Sequence, residues 1–426
     1  MNALSGRNAS HVARTRFLPA LAHRDFRHLW FAALSADAGA WAVIVARGWL
    51  AYHLAENNPS ASAGLVIFSA MIPYVLVPVF AGFLADRMVR RDLLAWSMGF
   101  QILIHIATAA IALLGVVQIW HLVVIAFITG SAMATQVAGL ESLTANLVPR
   151  KNLVNAYALI NAAFHGTRAL GPGAIAPVLA LLDIGWAFVI AGVAYIIAIT
   201  LVLRIETRST GVIESARGHL RNLAEGFIYA YRHPVLVRVF VLVIFHCSLT
   251  MSFESLLPVI SETKLGTDAF GVSMMNVTVG VGALLISLVI APLSAPHRRG
   301  RLLLINGIIS GISPLTLAFA PTLPLAMLAT AFMGASQAGF MILSSILIQS
   351  VVPDGIRGRV TSIYILHAAG IMSFANFGNG ALGDRFGPEW VLAVAGGGFV
   401  AFVILTALER RTRGIYIRGV AVAPTG

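Results

Sequence analysis

The sequence predicts an all-α integral membrane protein: twelve transmembrane helices in two six-helix bundles, with both termini in the cytoplasm. Four observations carry this. Of 426 residues, 58% are hydrophobic and only 11% charged, less than half the roughly 25% charged fraction of soluble domains. Apolar runs of about 20 residues, long enough to cross hydrocarbon as a helix, recur along the chain. The short alternating segments of a membrane β-barrel are absent. Finally, the runs fall into six plus six around one long polar stretch, residues 205–235.

Taken in order, the N-tail is 1–27. The first bundle, 28–204, holds spans near 28–51, 62–84, 93–115, 120–147, 155–181 and 184–204. The connecting stretch 205–235 carries Arg208, Arg217, Arg221 and Arg232 with Glu206, Glu214 and Glu225. Within it Leu220, Leu223, Phe227 and Tyr231 share one helical face, which predicts an amphipathic helix lying on the membrane as a tether. The second bundle, 236–408, holds spans near 236–260, 271–293, 301–320, 324–350, 360–382 and 389–408, and 409–426 is the C-tail. At an offset of 204, Gly130 meets Gly334, Pro149 meets Pro353, Gly166 meets Gly370 and Trp186 meets Trp390, as expected of two parallel six-helix repeats.

Charge placement sets the orientation. With the N-terminus inside, 25 of the 29 Lys and Arg residues lie in cytoplasmic segments, which the positive-inside rule favours. Lys264 and Arg385 face outside, and Arg47 and Arg168 fall within spans. The net charge of +12 therefore reflects topology and requires no nucleic acid. The basic N-terminus lacks the short apolar core and cleavage site of a signal peptide, so it reads as a cytoplasmic tail. The single cysteine, Cys247, permits no intramolecular disulfide.

The segment GFLADRMVRRD at 82–92 concentrates charge between two apolar runs. Its Gly82, Leu84, Ala85, Asp86, Arg87, Arg90 and Arg91 match the G-x-L-A-D-R-x-G-R-[RK] pattern of the major facilitator superfamily, which this chain resembles over about residues 20–410. Val89 stands where that pattern has Gly, so a β-branched residue must make the turn. The stretches GWLAYHL, NLVPRKNLVNAYAL, EGFIYAYRHP and LIQSVVPDGIRGRVTSIYIL are similar to the enterobactin-exporter-like group, that is, the transmembrane secretion effectors. The resemblance implies efflux of small molecules such as drugs, siderophores or metabolites, commonly coupled to proton entry. Gly82 allows a close helix approach, and Asp86 facing a helix N-terminus or a cytoplasmic Arg would lock one closed state. Glu141, near the cytoplasmic end of span 4, belongs with this gate. The counterpart SAPHRRGRL keeps Arg298, Arg299 and Arg301 but no acid. In span 5, Gly171 and Pro172 resemble the Gly-Pro motif of family antiporters, and the proline predicts a bend.

Four charges sit inside apolar runs: Asp37, Arg47, Arg168 and Glu254. Each costs about 2.5–3.5 kcal/mol at a helix centre, so each is expected to face a cavity or a partner. Asp37 and Trp41 share a face of span 1 and would present a carboxylate beside an aromatic wall, suited to an amphipathic or cationic substrate. Asp37 and Arg47 are about 15 Å apart along the helix axis and do not pair directly. His246, Thr250 and Glu254 form a polar stripe on span 7; Tyr157, Asn161, His165 and Arg168 form another on span 5. Neutral polar residues in such stripes more often hold helices together than touch substrate. His105 and His367 are expected to be hydrogen-bonded packing residues. A carboxyl in a low-dielectric cavity holds its proton more readily, so Asp37 and Glu254 are candidates for proton coupling.

No metal-ligand cluster, nucleophile motif or Walker motif stands out, so no enzyme activity, cofactor or metal is expected. The expected protein is a monomeric proton-coupled exporter in the cytoplasmic (inner) membrane, with a small molecule, protons and the bilayer as partners. Import of a nutrient by the same fold is the alternative, and an intramembrane enzyme or a receptor is a rival from another class.

Overall fold

The computed structural model describes residues 19–77, 88–207, 216–290 and 295–419. Among them every regular element is helical. Twelve long helices follow one another: α1 (Arg24–Leu54), α2 (Pro59–Leu76), α3 (Arg90–Leu113), α4 (Ile119–Leu147), α5 (Leu153–Leu181), α6 (Gly185–Leu203), α7 (Pro234–Lys264), α8 (Ala269–Ile290), α9 (Pro296–Ala318), α10 (Leu323–Val351), α11 (Arg357–Phe386) and α12 (Pro388–Leu408). Eleven are long and apolar enough to cross a membrane; α5, which carries Arg168, falls outside that group. Prolines open α2, α7, α9 and α12, where a missing N–H costs nothing because the first turn has no partner for it.

The sequence repeat is visible in the geometry. Helices α4 and α10 are both 29 residues long and start 204 positions apart, at Ile119 and Leu323. Each is followed by a 3-10 turn, Arg150–Asn152 and Asp354–Ile356, and then by α5 or α11. Gly130 and Gly334 hold equivalent places: a Cβ on Gly130 would run into the carbonyl of Ala70 in α2, and one on Gly334 into that of Val279 in α8. The backbones touch where only hydrogen fits. Gly334→Ala is therefore expected to destabilise the protein by about 1–3 kcal/mol through overpacking, visible as a lower melting temperature in detergent, whereas Gly397→Ala, where a Cβ meets nothing, should leave it unchanged.

Helices α1–α6 pack among themselves, as do α7–α12, and the two sets meet along α2 with α11 and α5 with α8. The buried apolar residues form three clusters. One lies at the end distant from the chain termini and draws on both sets, with Val43, Leu50, Leu122 and Phe188 beside Phe253, Leu256, Val272 and Met333. At the opposite end the clusters are separate, one around Phe26, Leu94 and Tyr195 and one around Phe240, Phe340 and Phe399.

Three elements depart from expectation. First, α7 is interrupted: helix Pro234–Leu249 gives way to irregular backbone, a 3-10 turn at Glu254–Leu256 and a π turn over Ile260–Lys264. Side chains satisfy the freed carbonyls, Gln337 donating to Thr250 at 2.7 Å and Asn379 to Ser252 at 2.6 Å. Second, residues Arg410–Arg418 in the expected C-tail form a terminal helix, begun by Glu409, whose carboxylate accepts the Arg411 and Thr412 N–H groups. The Thr412 hydroxyl and N–H hold the Glu409 carboxyl below its ordinary range. Third, the expected amphipathic helix forms over Ala216–Arg232 and, beyond expectation, also contacts protein: Tyr231 Oη lies 2.6 Å from His367 Nε2, and Arg359 pairs with Glu225. His367 is thus the hydrogen-bonded packing residue expected. His105 packs as expected, buried against Tyr195, but neither ring nitrogen is hydrogen-bonded among the described residues.

Candidate functional site

Where α1, α5 and α7 converge, two of the four intramembrane charges, Arg168 and Glu254, pair beside Trp41. Arg168 Nη2 on α5 donates to Glu254 Oε1 on α7 at 2.9 Å, with side-chain exposures of 14% and 13%. The pair joins the two helix sets. The guanidinium carbon of Arg168 also lies 4.6 Å from the Trp41 ring centroid, a cation–π contact that strengthens when water is excluded. Phe164 extends the aromatic wall, 5.9 Å from Trp41, and His165 packs edge-on to Phe164. Arg168 Nε is buried and makes no hydrogen bond among the described residues.

Local sequence explains why Arg168 can reach across. Pro172 has no N–H to offer the Arg168 carbonyl four residues earlier, although α5 runs on unbroken through Pro172 and Pro177. Gly171 lets α5 approach α1, since a Cβ there would strike the Ala38 carbonyl. Gly280 of α8 does the same against Arg168 and Ala169. The break in α7 places Glu254 in a fresh turn. The stripe His246–Thr250–Glu254 expected of one continuous helix is therefore split: His246 and Thr250 stay in the core of the second set, where His246 Nε2 lies 2.9 Å from Ser310 Oγ.

Asp37 occupies a different environment. It is partly buried one turn before Trp41, and no hydrogen bond or ion pair reaches it from the described residues. Among the described residues, the Tyr74 and Tyr195 side chains, on α2 and α6, lie within electrostatic reach of it. Neither tyrosine stood out in the sequence, because nothing in their spacing ties them to Asp37. Arg47 is 5% exposed inside the first set, donating to Thr129 Oγ1 at 2.8 Å with Gln101, His105 and Tyr195 nearby. The structure does not bring it to the Arg168–Glu254 pair.

Of the gating segment, Gly82, Asp86 and Arg87 lie outside the described residues. Arg90 donates to the Ser142 carbonyl at 3.2 Å, beside Glu141, and Arg91 binds Asp92 and the Ile205 carbonyl. Both tie their segment to α4 and to the end of α6. Tyr157 Oη reaches the Glu141 carbonyl at 3.1 Å. Val89 serves as the N-cap of α3 with φ −62° and ψ 122°, an extended conformation any residue adopts. No glycine is needed at that place.

Residues 15–413 match the family described as transmembrane secretion effector. The chain belongs to it. It is a transporter of the major facilitator superfamily, a multi-pass protein of the cell membrane, and not an enzyme. Among curated relatives, the multidrug efflux pump Tap of Mycolicibacterium fortuitum is 28% identical over 357 residues, 80% of this chain and 85% of that one. The staphyloferrin A transporter of Staphylococcus aureus is 21% identical over 248 residues, 57% of this chain and 61% of that one. Solved structures share the fold: a POT family transporter bound to a thioalcohol-conjugated peptide (TM-score 0.71, 11% identity, covering 90% of this chain and 96% of that one) and the nucleoside transporter NupG (TM-score 0.70, 12% identity, 89% and 98%).

Proposed function

We propose that this transporter exports small molecules in exchange for protons, working as a monomer by alternating access. All twelve long helices, α5 included, span the inner membrane with both termini cytoplasmic, as the positive-inside rule directs. The observation that best supports the reading is Asp37: a partly buried carboxyl with no ion-pair partner among the described residues, one turn before Trp41 on α1. Such a group binds either a proton or a cationic substrate, and competition between them is what couples an antiporter. Arg168 and Glu254 link the two sets beside it, so substrate contact with Trp41 or Arg168 bears on the joint between them. Arg47, His165 and His246 are supporting polar groups, and Arg90, Arg91 and Glu141 belong to the cytoplasmic gate with Gly82, Asp86 and Arg87. The efflux activity named for the Mycolicibacterium relative agrees with export of drugs; a siderophore or a metabolite fits the same scheme.

The test uses inverted membrane vesicles with an acidic interior and ethidium as an amphipathic cationic probe. Gradient-dependent accumulation that collapses with nigericin is the expected result. Accumulation indifferent to nigericin would remove proton coupling, and loss of dye from inverted vesicles under the same gradient would indicate import.

A further inference from the structure

Helix α2 begins without a cap of its own. Its N-cap residue, Asn58, sits in the left-handed region at φ 55° and its side chain accepts no hydrogen bond from the helix. The first N–H groups of a helix have no partner within it and normally require one. Here a carboxylate from the other helix set supplies it. Asp384, near the end of α11, accepts the Ser60 N–H at 2.9 Å through one oxygen and the Ala61 N–H at 2.8 Å through the other. Two N–H groups on a helix N-terminus and one carboxylate make a charge-assisted contact favoured also by the helix dipole.

The approach that allows it is built into the backbone. A Cβ on Gly380 would strike the Ser60 carbonyl, and one on Gly64 would meet the Asn376 carbonyl at 2.7 Å. Contacts then run antiparallel down the two helices, Phe68 against Phe374 and Phe377, and Val75 against Gly370. A second tie lies alongside, with Glu262 of α7 reaching Tyr52 and His53 of α1. All of this is at the end where one apolar cluster draws on both sets.

We propose that Asp384 is a detachable cap that holds the outer end shut: it completes α2 only while the two helix sets touch there, and opening that end strips two N–H groups of their partner. The inference rests on alternating access and not on export or proton coupling. Around Asp384 the chain reads Gly380-Ala381-Leu382-Gly383-Asp384-Arg385, the same Gly-x-Leu-x-Asp-Arg spacing as 82–87; those earlier residues lie outside the described ones, and Asp384 carries the argument alone.

The experiment measures conformer populations by double electron–electron resonance on the full-length protein without substrate or pH gradient. The background is Cys247→Ser, and nitroxides are attached at Asn57→Cys and Thr322→Cys, exposed positions at the outer end of either set. Asp384→Ala is expected to raise the ratio of outer-open to outer-closed protein roughly five-fold, the effect of losing a helix cap of typical strength. Asp384→Asn, which keeps one capping oxygen, should shift it less, and Arg385→Ala not at all. Hydrogen exchange in the peptide covering 58–64 should accelerate in parallel. Should the alanine variant not insert, the asparagine variant carries the same test. An unchanged ratio with unchanged exchange, or an equal shift in Arg385→Ala, overturns the proposal.

Discussion

Reconstituted in liposomes under an imposed pH gradient, the Asp37→Asn transporter is expected to lose gradient-driven transport, with the rate falling at least roughly ten-fold, while substrate exchange without a gradient persists. The asparagine has almost the same shape and cannot titrate. Asp37 is the residue for which this matters most because nothing neutralises it: no described cation or donor reaches it. Alone in hydrocarbon, its charge costs about 2.5–3.5 kcal/mol on the insertion scale, which a proton or a cationic ligand removes. Glu254→Gln tests the other acid, and its Arg168 partner makes a different outcome the expectation: weaker transport together with a less stable protein. Unchanged gradient-driven transport in both variants would end the proton-coupling proposal.

The second large effect concerns the pair itself. Removing either Arg168 or Glu254 with alanine leaves its partner charged and mostly buried, a change of about 3–5 kcal/mol in buried pairs. The residual exposure of 14% and 13% softens the cost somewhat. Thermal unfolding in detergent should show a clear drop for each single variant. Arg168→Met combined with Glu254→Leu should recover most of the lost stability, since an apolar pair of similar volume needs no desolvation, yet transport should stay impaired. If the double variant were as unstable as the sum of the singles, the two residues would not be acting as a pair.

Much of this molecule is legible in its sequence. Apolar run length predicts the long helices, and the boundaries that fall on described residues shift by only a few residues; the expected ends at 84 and 293 lie outside the described residues. Gly130 and Gly334 marked a repeat whose packing they create. Spacing could not show where chains cross. Arg168 and Glu254 are 86 positions apart, and the choice of a partner in the other helix set over one in the same set depends on tertiary approach at Gly171 and Gly280. The α7 break was not legible because His246, Thr250 and Glu254 read as a polar stripe of a continuous helix; the stretch between His246 and Glu254 has carbonyls that take Gln337 and Asn379 as donors. The Asp384 contact was hidden for the same reason, although its Asp-Arg pair repeats that at 86–87.

The apolar cluster shared by both helix sets at one end, with separate clusters at the other, has a thermal consequence. In the alternating access proposed above, a switch would part the shared cluster and wet its faces, which raises heat capacity, while merging the two clusters at the opposite end would lower it. Where the areas differ, the balance between the two access states curves with temperature. Because apolar attraction weakens on cooling, the state that buries more apolar surface loses ground in the cold. If access alternates as proposed, the balance between the two access states is expected to vary with temperature through the size of one cluster, which includes Phe188, Phe253 and Met333.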